Sequence, residues 1–209
     1  MESALYDSML KDEAYAMIDI LPKDRWMAVS ALFQRLEEKG TRVFYHSLRV
    51  GSLVGIIDRF LGIESDDLLA GGYLHDVGKL KIPRRILEKT GTWTNNDRTI
   101  MRRHVLIGYR MLKERGLADA ADIMVFHHWF QIPRYPRRIP KPDNSHNQNR
   151  VRFCGRIVAL ADCYDALHRN NAWPAGMVLD SNEIREKMFA LNPDQSQLIG
   201  KLYDASIFV

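Results

Sequence analysis

Five histidines and two aspartates stand along the chain in the order His46, His75, Asp76, His104, His127, His128, Asp162. That is more imidazole and carboxylate than one mononuclear metal site uses, so the set points to a two-metal centre. Neutral imidazole mixed with carboxylate suits Fe, Mn, Co, Ni or Zn, whereas a Mg or Ca site would carry mainly oxygen. His146 and His168 are left over. Taken singly, each candidate reads as a hydrogen-bonded core residue. Taken together they do not: five histidines at inward helical positions are hard to bury unless a cation neutralises and ties them, because unpaired polar burial is costly.

The elements that must position these residues read as helices, since nearly every apolar pattern has a helical period and no internal repeat is visible. The expected fold class is all-α. Residues 12 to 38 carry helical spacing through Ala16, Met17 and Ile20, then Trp26, Val29, Leu32, Phe33 and Leu36, with Pro22 ending one helix and starting another. Gly40 closes the second. From Val43 to Leu61 the residues Phe44, Leu48, Leu53, Val54, Ile57 and Phe60 make a broad stripe with His46 among them. Leu68 to Leu74 delivers His75 and Asp76 at its C-terminal end, and Pro83 opens a short turn or helix. Thr94 is predicted to cap a helix that runs unbroken to about Arg115 and turns His104 inward. Ala118 to His128 reads as a helix ending in the histidine pair. The segment from Gln131 to Asn149, with Pro133, Pro136, Pro140 and Pro142, is predicted irregular. Arg150 to Leu167 resumes a helix carrying Asp162 and Asp165, and helices near 181–190 and 194–203 finish the chain, the first capped by Asp180 or Ser181 before Glu183.

A chain of 209 residues, 46% hydrophobic and 27% charged, can bury a core as one domain. The net charge of +4 speaks first to solubility and only second to an anionic partner. Cys154 and Cys163 sit in apolar surroundings and read as reduced core thiols, which favours a cytoplasmic address. No stretch approaches the ~18 apolar residues of a membrane span, the N-terminus lacks an unbroken apolar export segment, and no nucleic-acid-binding stripe stands out.

With these residues in view, LHDVGKLKIP at 74 to 83 resembles the signature of the HD-domain phosphohydrolases, and in particular their HD-GYP branch. The stretch IPRRILEKTGTWTNNDRTIMRRHVLIGYRML, the FHH at 126 to 128 and IVALADCYDAL at 157 to 167 are similar to the motifs that follow in that branch. The resemblance covers about residues 40 to 205 and implies an HD-domain helical bundle with a buried binuclear metal site, residues 1–39 forming an N-terminal helical extension and 40–209 the domain. It further implies that His46, His75, Asp76 and Asp162 hold one metal and that Asp76 bridges to a second held by His104, His127 and His128. Fe or Mn fits best, with Ni, Co or Zn as alternatives. Asp76 and Lys79 would be catalytic, Lys79 stabilising charge that grows on phosphate. Asp165 lies on the same helical face as Asp162 and would orient a ligand histidine or a water, or close a salt bridge.

Two departures from the branch pattern stand out. After the histidine pair the chain reads HHWFQIPRYP and keeps only Tyr135-Pro136 of the name-giving loop, which puts activity on cyclic di-GMP in question. Arg42 occupies the place where some members carry a Glu for a third metal, so two metals are the limit. Arg134, Arg137 and Arg138, with Lys141, form either a basic flap that binds the phosphate ester or a solvated connector. Trp129 and Phe130 are read as a hydrophobic lid over the metals. The function implied is metal-dependent hydrolysis of a phosphodiester, phosphomonoester or nucleotide, with a small phosphorylated substrate such as a nucleotide or cyclic dinucleotide; the N-terminal extension, outside the resemblance, would either pack as a helical cap or form a homodimer contact. Two alternatives stay open: a catalytically silent sensory or interaction domain, and a di-iron oxygenase of the same superfamily.

Overall fold

The computed structural model describes residues 2–141, 148–169 and 179–209, and among these it contains helices and turns but no strand. Pro142 and His146 lie outside the described residues. The N-terminal pair, α1 (Glu2–Asp19) and α2 (Lys23–Lys39), is divided at Pro22, which precedes the first turn of α2, where a missing N–H costs nothing. The buried face of α1 is Leu10, Ala14 and Ile18, continued by Leu21, and not the Ala16 and Ile20 of the sequence reading. Both of these face solvent. The stripe began two residues off register because Met17, partly buried, lies on the flank of either choice.

α3 (Thr41–Leu61) is the central element. It packs against α1, α2, α4 (Asp66–Leu74) and α9 (Gln148–His168). One apolar cluster gathers α1 and α2 with Phe44 and Leu48 of α3, Tyr73 and Leu74 of α4, and residues of α7 (His104–Lys113) and α8 (Ala118–Met124). A second gathers Val50, Val54 and Ile57 of α3 with α9, α10 (Ser181–Leu191) and α11 (Ser196–Asp204). From Leu10 onward, α1 and α2 therefore share a core with the helices that carry the histidines. Among the described residues no helix is long and apolar enough to cross a membrane.

Three local features set the site. Ser65 caps α4 by accepting from the Leu68 amide, and α4 ends at Leu74, so that His75 and Asp76 lead into a 3₁₀ turn over Val77–Lys81. α5 (Arg84–Leu87) follows, and Thr94 then starts α6 (Asn95–Arg102) with a reciprocal capping box to Asp97. The expected continuous helix is instead broken at Arg103. His104 Nδ1 donates to the Met101 carbonyl at 2.6 Å, and a side chain that occupies a ladder carbonyl is a recognised cause of such a break. α8 likewise stops at Met124, earlier than the sequence suggested, and His127 and His128 lie on the turns beyond it.

The 3₁₀ turn and the start of α7 approach unusually closely. A methyl group built on Gly78 would lie 1.9 Å from the His104 carbonyl oxygen and 2.6 Å from the Gly108 amide nitrogen. Only a residue without Cβ lets the two backbones meet there.

Candidate metal centre

The seven residues singled out from sequence come together from five separate segments. His46 projects from α3, His75 and Asp76 from the end of α4, His104 from the first residue of α7, His127 and His128 from the turns after α8, and Asp162 from α9. They form two triads, His46/His75/Asp162 and His104/His127/His128, and within each the donor atoms lie within 4.8 Å of one another. Asp76 lies between the two. Its Oδ2 is 3.3 Å from His46 Nε2 and 3.4 Å from His75 Nε2, while its Oδ1 is 3.2 Å from His104 Nε2.

The hydrogen bonds at the outer edges of the rings determine what the inner edges offer. A carbonyl only accepts, so Nδ1 of His75, His104 and His127 carries the proton that is given to Gly72 at 2.8 Å, Met101 at 2.6 Å and Met124 at 2.6 Å. A neutral ring so held presents a bare Nε2 lone pair inward. Burial pushes His104 down to about 4 and His128 down to about 3, and it holds His127 well below its ordinary range, so these rings are neutral at pH 7. His104 Nε2 and His127 Nε2 nevertheless face each other at 3.2 Å with no proton between them. Asp76 Oδ1 points at the same place, buried and without a hydrogen-bond partner among the described residues. Three buried lone-pair donors turned toward one another are mutually repulsive unless a cation joins them.

The first triad asks for positive charge in another way. Burial opposes a charged His46, but hydrogen bonds to Asp162, Asp165 and Asp76 outweigh it and push the ring up to about 9. His46 Nε2 also lies 3.1 Å from His75 Nε2. Despite their own burial, Asp76 is held well below the usual carboxylate range by Lys79 and the histidines, and Asp162 by His46. The donor set therefore fits two divalent cations: imidazole nitrogen and carboxylate oxygen in each group, with one carboxylate reaching both.

Lys79, on the 3₁₀ turn, contacts Asp76 Oδ2 through its ammonium, and its side chain is 19% exposed, at the boundary between the pocket and solvent. Asp165 does both of the things considered for it. Its Oδ2 accepts from His46 Nδ1 at 2.7 Å, and it also pairs with Arg49 at 2.5 Å and Arg169 at 3.1 Å. Arg134, Arg137 and Arg138 are exposed, and among the described residues they make no ion pair or hydrogen bond to either triad. Arg134 lies over the Trp129 ring at 4.9 Å.

The aromatic cover differs from the one read from sequence. Phe130 stacks near Phe126 and takes Arg156 on its ring at 4.6 Å, and Trp129 turns to Phe126 and Arg134. The ring that lies on the histidines is Tyr135, 4.4 Å from His128 and 6.2 Å from His104 between centroids, with the Arg102 guanidinium 5.4 Å from its centroid. Its only trace in the sequence was its survival from an otherwise altered loop. Arg49 had no sequence signal at all, and the partner of Arg169 was not foreseen.

The HD domain family model matches residues 43–167. The chain belongs to this family, and its likeness to the relatives below places it nearest the HD-GYP branch. It is 35% identical over 130 residues to a cyclic di-GMP phosphodiesterase of Thermotoga maritima, covering 58% of this chain and 33% of that protein. It is 31% identical over 169 residues to the 3'3'-cGAMP-specific phosphodiesterase 2 of Vibrio cholerae, covering 77% of this chain and 30% of the relative. With the cyclic di-GMP phosphodiesterase response regulator RpfG of Xanthomonas campestris pv. campestris it shares 30% over 148 residues, covering 68% of this chain and 37% of the relative. The chain thus spans about a third of the length of these relatives.

Proposed function

We propose that this chain is a metal-dependent phosphohydrolase that cleaves a phosphoester of a nucleotide-type substrate, with a cyclic dinucleotide as the first candidate, where the two triads converge. The observation that carries this reading is the meeting of His104 Nε2, His127 Nε2 and Asp76 Oδ1 in a buried pocket with no proton to share. The relatives' names supply the substrate class.

In this reading His46, His75 and Asp162 would hold one divalent transition-metal ion and His104, His127 and His128 the other, with Asp76, which lies between the two groups, available to both. Fe or Mn suits the set, and Ni, Co or Zn shares its ligand preferences. Two such cations lower the pKa of water and compensate charge on the attacking and leaving oxygens. The carbonyls of Gly72, Met101 and Met124 keep three rings in the tautomer that leaves Nε2 free. Lys79 places an ammonium beside Asp76, where it can meet a phosphoryl oxygen as negative charge grows. Tyr135 covers His128 and restricts water at that end of the pocket. Arg134, Arg137 and Arg138 act as an exposed basic approach that raises the local concentration of a polyanion.

The same reading makes the protein cytoplasmic, with Cys154 and Cys163 as free thiols. We further propose a division into residues 1–39 and 40–209, and a homodimer formed through α1 and α2, where Met9 and Met27 are exposed, as is Ile20 in the turn between them. Protein reloaded with Mn(II) or Fe(II) should hold about two equivalents per chain and hydrolyse bis(p-nitrophenyl) phosphate and at least one cyclic dinucleotide. Asp76→Ala should abolish this turnover. Protein that takes up no metal would instead be an interaction domain, and fully loaded protein that hydrolyses none of a nucleotide panel but shows iron-dependent O₂ uptake would be the oxygenase.

A further inference from the structure

The two triads differ in what stands behind their imidazoles. In the second, the outer nitrogens of His104 and His127 give their protons to neutral backbone carbonyls. In the first, His75 does the same, but His46 gives its proton to a carboxylate, Asp165 Oδ2, at 2.7 Å. Asp165 is itself buried and fixed from two sides. Arg49 reaches it from α3, one helical turn after His46, and Arg169 reaches it from just beyond the end of α9. A carboxylate behind an imidazole makes the ring a stronger donor and fixes its orientation, effects that a carbonyl supplies more weakly. The first triad also contains its own carboxylate, Asp162, whereas the second contains three neutral rings.

We propose that Asp165, clamped by Arg49 and Arg169, is a positioning residue that makes the two cation positions unequal, so that the His46/His75/Asp162 position fills first and holds its ion more tightly than the His104/His127/His128 position. This rests on the two-metal reading above. The first position then acts as the resident seat, and the second as the one emptied and refilled as metal supply changes. Arg49 and Arg169 share the charge of Asp165, which lets a third carboxylate stand near His46 beside Asp76 and Asp162 without leaving the pocket over-charged. Both arginines are about a third exposed, so each can return to water if its partner is lost.

The test is a titration of metal-stripped protein with Mn(II), followed by calorimetry, together with anomalous diffraction from crystals that hold one equivalent. Wild-type protein should show two classes of site separated by tenfold or more, with the one-equivalent ion at His46, His75 and Asp162. Asp165→Asn should weaken the tight class by about ten- to a hundredfold and leave the weak class unchanged. Arg49→Gln removes one half of the clamp while sparing the bond to His46, and it should weaken the tight class, by less than Asp165→Asn does. Indistinguishable sites in the wild type, first occupancy at the second triad, or equal weakening of both classes in Asp165→Asn would overturn the proposal. The wild-type measurements decide the order of filling even where Asp165→Asn fails to fold, and Arg49→Gln then reads the part played by Asp165. Protein that binds no Mn(II), Fe(II) or Zn(II) would instead remove the two-metal reading itself.

Discussion

Replacing Gly78 by Ala tests whether the meeting of two backbones, rather than the ligands themselves, sets the second triad. The added methyl would stand 1.9 Å from the His104 carbonyl oxygen and 2.6 Å from the Gly108 nitrogen, where ordinary contact begins at 3.4 Å. Both obstacles are main chain, so no side chain can swing away, and the 3₁₀ turn and the start of α7 must part by more than an ångström. Overpacking of this kind costs about 1–3 kcal/mol, and a backbone obstacle argues for the upper end. Alanine returns about 0.4–1 kcal/mol by restricting the unfolded chain, because Gly78 does not need a positive φ. The net loss is therefore about 2 kcal/mol, which for a chain of this length lowers the unfolding midpoint by roughly 4–8 °C. His104 moves with its own carbonyl, and a displacement of about 1 Å at a reacting centre can cost on the order of a hundredfold in rate. Thermal unfolding followed by circular dichroism, metal content and turnover of bis(p-nitrophenyl) phosphate read these effects separately. Gly200→Ala is the control, since a methyl there meets nothing within 4 Å. A Gly78→Ala protein with wild-type midpoint, full metal content and unchanged turnover would refute the reasoning.

Metal-stripped protein should be most stable near pH 6.5. His104 and His128, pushed down to about 4 and about 3 from 6.5, resist protons that the unfolded chain accepts, so stability falls as pH drops below 6.5. His46, raised to about 9, contributes stability that is full below 6.5 and lost as pH rises through 9, so stability also falls on the alkaline side; urea titrations across pH would check both limbs, and a flat profile would count against them. Tyr135→Ala should uncover His128 and speed loss of metal to a chelator, whereas Tyr135→Phe, which keeps the ring, should behave as wild type; equal rates in all three proteins would deny the ring its covering role. Arg156→Met removes bonds to Asp194 and to buried Asn192 and a cation over Phe130, and it should cost about 2–3 kcal/mol in chemical denaturation, mainly through the unpaired Asn192 oxygen.

Much of the local architecture was legible in the chain because its causes are local. Pro22 divided α1 from α2, Thr94 and Asp180 capped the helices they precede, and the apolar period placed α3 and α9. The identities of the seven candidate donors were also legible, since imidazole and carboxylate in inward positions are costly without a shared purpose. The breaks at Arg103 and after Met124 were not. Each accompanies a ring that donates to a carbonyl three residues back, an arrangement the apolar period cannot report.

What the sequence determined by itself was the inventory: helical segments, their caps, and a set of side chains suited to divalent metals. Only the tertiary structure decided the partnerships. Asp165 meets His46 across 119 residues of chain, Arg49 closes on that carboxylate from α3, and Tyr135 instead of Trp129 or Phe130 lies over the histidines. Period and capping act over a few residues, whereas these contacts are fixed by how α3, α9 and the loop after α8 pack, which spacing along the chain does not encode.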